Sequence, residues 1–208
     1  MQQRAQEVLN FWFGPRPHSA VSLQSHMRLW FGDPKAPELI PQQDELIRER
    51  FGALVQQAMR GALAAWESSP RRRLALILLL DQFPRNIHRG SGEAFAGDSQ
   101  ALALAASGMQ IGADAALDAV ERIFFYMPLQ HAEAGAVQEE SLAAFRRLRA
   151  EAPTDLQSLF DRACESAALH CDIVMRFGRF PHRNRALGRD NTPEEERWLI
   201  TEGESFGQ

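Results

Sequence analysis

Residues 71–82 read Arg-Arg-Arg-Leu-Ala-Leu-Ile-Leu-Leu-Leu-Asp-Gln. Residues 74–80 carry no polar group. The run is far shorter than the roughly 20 residues that a membrane span needs. Ser69-Pro70 precedes it, a good N-cap residue followed by proline at the first helical position. A helix that is apolar on every side is covered on every side. The stretch therefore predicts a helix over 71–82 at the centre of an all-helical fold. Phe83-Pro84 reads as its end, because proline disfavours helix at the residue before it.

Outward from this segment the pattern stays helical, and no period-2 strand bounded by turns is found. Helices are expected over 5–13 and 21–31, stopped by Gly14-Pro15 and Gly32-Asp33-Pro34, and over about 38–60. In the last of these, Ile47, Phe51, Leu54, Val55 and Ala58 share one face. Downstream, helices are expected over 98–107, 114–126, 135–151 and 154–177. The longest has a stripe of Leu156, Phe160, Ala163, Ala167, His170, Val174 and Phe177. Thr192-Pro193-Glu194-Glu195 is a capping box that opens a last helix through Ile200. The connections are short, so neighbours run antiparallel. The expectation is one all-α domain over 1–208, an array of about eight or nine helices.

Composition narrows the function classes. Thirteen Phe and four Trp supply ample core material. A net charge of −4 gives no whole-surface attraction to nucleic acid. The charge is nevertheless uneven: residues 176–189 hold five arginines and His182 with no acid. Cys164 and Cys171 are seven apart on one expected helix, roughly 10 Å by helical rise and too far for a disulfide. Reduced thiols, no secretory leader and no membrane span point to a cytoplasmic protein.

Two segments almost a hundred residues apart repeat one content. Asp81-Gln82-Phe83-Pro84-Arg85-Asn86-Ile87-His88-Arg89 and Arg179-Phe180-Pro181-His182-Arg183-Asn184-Arg185 each carry Phe-Pro, then Arg, Asn and His. Each follows a helical pattern. They are expected to form two loops that meet in one cationic pocket. Arg85, Asn86, Arg179, His182, Arg183 and Asn184 are the anion-binding candidates, since guanidinium forks and amides suit carboxylates and phosphates. The bland alternative is a solvated loop with one or two ion pairs. Asp81 sits at the negative end of a buried helix, so it needs a partner. It serves either as a structural ion pair or as an acid–base carboxylate. His131 and His170 are the other acid–base candidates, because imidazole titrates near neutrality. His170 also fits a core position on its stripe. His131 and Glu133 form an H-x-E pair without the further ligands a metal site needs. No metal or cofactor is expected. The clusters Phe11-Trp12-Phe13 and Trp30-Phe31 read as core that can also wall a pocket. No serine nucleophile, dinucleotide or P-loop motif is present.

The segments LNFWFGP (9–15), LWFGD (29–33), LALILLLDQFPRNIHRG (74–90), ERIFFYMPLQHAE (121–133) and MRFGRFPHRNRALGR (175–189) resemble the bacterial family known as domain of unknown function 924. The resemblance runs from about residue 6 to residue 206. It implies an all-α fold similar to tetratricopeptide-like arrays, and no established activity. It implies characteristic polar positions at Asp81, Gln82, Arg85, Asn86, His131, Glu133, His170, Asp172, Arg179, His182, Arg183 and Asn184. Two partner classes follow from the residues: an anionic small molecule, or an acidic peptide or terminal carboxylate held in a helical groove. The oligomeric state is not legible.

Overall fold

The computed structural model describes residues 2–32 and 35–203. Nine α-helices run through them: α1 (Gln2–Phe13), α2 (Ala20–Phe31), α3 (Ile40–Met59), α4 (Pro70–Ile87), α5 (Asp98–Gln110), α6 (Ala119–Gln130), α7 (Gly135–Ala150), α8 (Gln157–Phe177) and α9 (Pro193–Thr201). Short 3-10 turns join several of them, and no strand is found among the described residues. The all-α reading holds. No described helix is long and apolar enough to cross a membrane. Cys164 and Cys171 are buried free thiols.

The centre is where the apolar run put it. Residues 74–81 are buried without a break, and α4 packs against α1, α3, α5 and α6. From α3 to α8, each helix lies against the next in sequence. One large cluster of buried side chains extends from Ala5 to Ala167. A second, smaller one joins Ile173, Val174 and Phe180 to Trp198 of α9. The capping box at Thr192 forms as expected: Glu195 N–H donates to Thr192 Oγ1 at 3.2 Å, and Thr192 N–H to Glu195 Oε2 at 2.7 Å. Ser69 precedes α4 as expected, but its side chain makes no capping bond. Gly32, at φ 72°, ends α2; Asp33 and Pro34 of the expected stop lie outside the described residues.

Two expected helix ends are overrun. Pro84 and Pro128 both lie inside helices, which continue to Ile87 and Gln130. Phe83-Pro84 therefore opens the last turn of α4, not a loop. Proline removes one amide and crowds the carbonyl four residues back. Here that carbonyl belongs to Leu80, and Gly97, just before α5, comes against it: a Cβ on Gly97 would lie 2.2 Å from the Leu80 oxygen. The extra turn is held by side-chain bonds, two of them from α3, that outweigh the local preference. Arg85 Nη1 donates to the Asp81 carbonyl at 2.6 Å, Asn86 Nδ2 to Asp44 Oδ1 at 3.0 Å, and Arg48 Nη2 to the Ile87 carbonyl at 2.9 Å.

Two substitutions test this centre. Leu78→Ala, at a site with no exposure, is expected to cost about 2–5 kcal/mol. Gly97→Ala removes no packing, yet is expected to cost about 1–3 kcal/mol because its methyl has no room beside the Leu80 carbonyl. Urea melts measure both, and a Gly97→Ala variant as stable as wild type would show that α5 is free to shift.

Candidate functional site

The two Phe-Pro segments do come together. The last turn of α4 presents Gln82, Arg85 and Asn86 to a cavity of about 400 Å³. The C-terminal end of α6 adds Gln130 and His131, α8 adds Ser166 and His170, and the 3-10 turn Pro181–Arg183 adds His182 and Arg183. The remaining wall is largely apolar: Trp12 from α1, Leu29, Trp30 and Phe31 from α2, Ile40 from α3, Phe95 and Met127. The aromatic clusters at the ends of α1 and α2 thus supply both core and cavity wall. Trp12 is 1% exposed and Phe31 55%.

Behind His131 lies Asp81, fully buried and outside the cavity lining. Asp81 Oδ1 is 2.6 Å from His131 Nδ1 and 3.3 Å from Arg85 Nη1, and Gln82 Nε2 donates to Oδ2 at 2.5 Å. Burial works to raise the Asp81 pKa, but His131, Arg85 and these hydrogen bonds outweigh it and hold the carboxyl well below its usual range. Burial, reinforced by the Arg85 charge, lowers the His131 imidazole against the pull of Asp81. The resulting pair is a carboxylate beside a neutral imidazole. A carboxylate only accepts, so Nδ1 carries the proton and Nε2 keeps its lone pair. His170 Nδ1 likewise donates to the Ser166 carbonyl at 2.8 Å, and its ring centre is 6.1 Å from that of His131.

Asp98, at the start of α5, joins the two segments. Arg85 binds it through both terminal nitrogens, at 2.7 and 2.9 Å, and Arg183 Nη1 reaches the same carboxylate at 3.2 Å. The Arg183 nitrogen also donates to the His131 carbonyl at 3.1 Å. Its guanidinium lies between the rings of Phe95 and Phe180, 4.7 and 4.4 Å from their centres. Burial and the neighbouring Arg85 lower Arg183 to about 10, still cationic at neutral pH.

Arg179 and Asn184 are placed elsewhere. Arg179 grips Glu195 at 2.6 and 2.8 Å, and Asn184 donates to Asn191 at 2.8 Å. Neither lines the cavity. Asn86 does, and its amide nitrogen donates to Asp44. Glu133 receives the Phe180 N–H at 2.8 Å and pairs with Arg189 at 2.6 Å, so it anchors the second segment to the end of α6. Asp172 is exposed on α8. Among the described residues, no group of three or more His, Cys, Asp or Glu side chains is arranged to hold a metal ion.

Sequence reasoning missed Asp98 and Asp44. For Asp98 no signal beyond a helix start existed. Asp44 had one: it precedes Ile47 by three and Phe51 by seven, on the buried face of α3.

The imidazoles set an acid limit on stability. Burial first, then His131, pushes His170 down to about 3; burial first, then Arg183, does the same to His182. Unfolded histidine titrates near about 6.5. Below that pH the unfolded chain binds protons the fold refuses. Stability is full above about pH 6.5 and falls toward pH 3, at about 1.4 kcal/mol per pH unit for each histidine. Urea melts between pH 7.5 and 5 are expected to show a slope that His170→Gln flattens by about one proton. An unchanged slope would show that His170 takes up its proton within the fold.

A family model described as bacterial protein of unknown function (DUF924) matches residues 8–203. A solved structure of the protein of unknown function ATU0120 from Agrobacterium tumefaciens is 33% identical, with a TM-score of 0.76 over 95% of this chain and 97% of that one. A search of curated proteins finds no match. The match takes in both Phe-Pro segments and the Asp81–His131 pair, and on that extent the chain belongs to the DUF924 family of bacterial proteins of unknown function.

Proposed function

We propose that this protein binds and acts on a small molecule with an anionic group in the cavity between the two Phe-Pro segments. His131 is the acid–base group, Asp81 the positioning residue behind it, and Arg183 the holder of the anion. The observation that carries the reading is the 2.6 Å Asp81–His131 contact, with His131 on the wall of a cavity of about 400 Å³. A neutral imidazole with a free Nε2 takes up a proton, and the buried carboxylate stabilises the imidazolium that results. His170, with the same tautomer nearby, is the second candidate for the proton.

The volume supports a small ligand, since such sites run to about 300–1,000 Å³. Side chains that merely locked helix ends together would have no need of such a space. The acidic-peptide alternative has less support, because Arg176 and Arg179 are already paired with Glu194 and Glu195. The two free cysteines support a reducing, cytoplasmic setting.

A thermal-shift screen of anionic metabolites tests the reading. Compounds that raise the wild-type melting temperature are expected to lose that effect with Arg183→Gln. Asp81→Asn is expected to keep binding and slow turnover of a bound substrate by about 10²–10⁴-fold, the range for general acid–base catalysis. Ligands that bind Arg183→Gln and wild type equally would remove Arg183 from the site.

A further inference from the structure

We infer that the ligand of this cavity is a carboxylate monoanion carried on an apolar body, and not a phosphate. The inference rests on the cavity reading above and narrows it to a chemical class. Three arginines are among the described residues that line the space, and two of them already grip a carboxylate through two nitrogens. Arg85 spends both terminal nitrogens on Asp98. Arg89 holds Asp44 through Nε at 2.7 Å and Nη2 at 3.0 Å. Arg183 engages acceptors through Nη1 alone, and its Nε is buried without one. One guanidinium edge can take one carboxylate.

A second negative charge would meet opposition. Asp98, Asp81 and Asp44 are already the counter-ions of these arginines, and no lysine or further arginine lines the cavity among the described residues. The helices add to this. α1, α2, α4 and α6 all bring their C-terminal ends to the cavity, through Trp12, Phe31, Asn86 and Gln130. Those ends carry partial negative charge, each equivalent to about half an electron at most. Phosphate sites use the opposite end of a helix. The N-terminus of α5 holds Asp98 itself.

The other wall states what the carboxylate is attached to. Trp12, Trp30, Phe31 and Met127 line the same space as the arginines. Trp30 Nε1 is already committed to the Trp12 carbonyl at 2.9 Å, so its indole has only apolar surface to offer. An acid without an apolar body would leave this wall bare.

Calorimetric titration of the full chain at slightly alkaline pH tests the class with four probes: phenylacetate, acetate, phenyl phosphate and 2-phenylethanol. Phenylacetate is expected to bind at least about tenfold tighter than each of the others, the scale of one charge-assisted hydrogen bond. Arg183→Gln should reduce phenylacetate to the level of 2-phenylethanol, and Trp30→Ala should weaken both. Arg183→Lys, with the charge kept and the fork lost, gives a second reading if the glutamine variant melts early. Phenyl phosphate binding as tightly as phenylacetate overturns the inference, and so does equal binding of 2-phenylethanol. If phenylacetate fails while the wider metabolite screen finds other ligands, the class is wrong and the cavity reading stands. If no compound of any class binds, the cavity reading falls and takes this inference with it.

Discussion

A helix that stops inside a protein leaves carbonyls that must find donors. α1, α2, α4 and α6 all stop around one space, and much of the polar architecture answers that demand. Trp30 caps the Trp12 carbonyl at 2.9 Å and Gln43 the Leu29 carbonyl at 2.9 Å. Arg48 caps Ile87 at 2.9 Å, and Gln138 takes both Gln130 and Ala132 at 2.7 Å. Arg183 caps His131 at 3.1 Å. The bond that satisfies the end of α6 is thus also one that fixes Arg183 on the cavity wall. On the proposed reading, capping and recognition draw on the same side chain.

The ionic network follows from the same crowding. Cations are favoured at helix C-terminal ends, but several arginines together need anions between them. Asp98 stands between Arg85 and Arg183, and Asp81 between Arg85 and His131. Buried pairs of this kind add little to stability when complete and cost much when one partner is lost. Their effect here is positional. Arg85 is held by two carboxylates, and through them the end of α4 is registered against α5 and α6.

Much of this was legible in the chain because it is local. The apolar run at 74–80 announced a covered helix, and the Thr192 capping box forms as its spacing requires. The two Phe-Pro segments announced a shared place through their common content, and the cavity holds residues of both. The errors are non-local. Pro84 reads as a stop because proline opposes helix, and only Arg48, Asp44 and the small Gly97 explain why α4 passes it. Arg179 and Asn184 belong to the second segment by composition, yet Glu195 and Asn191, from α9 and the stretch before it, draw them away. Asp98 is distant in sequence from Arg183, and no periodicity links them.

The division of the apolar interior has a consequence for where the chain opens first. Every buried member of the larger cluster lies at or before Ala167, whereas His182 and Arg183 ride on a segment packed through Ile173, Val174, Phe180 and Trp198. Small satellite clusters open locally at lower free energy than the body they sit on. The segment that carries His182 and Arg183 is held to the main body by polar bonds, Arg183 to Asp98 and His131, and Glu133 to Phe180 and Arg189. A local opening there would disturb the cavity wall while the larger cluster stays packed.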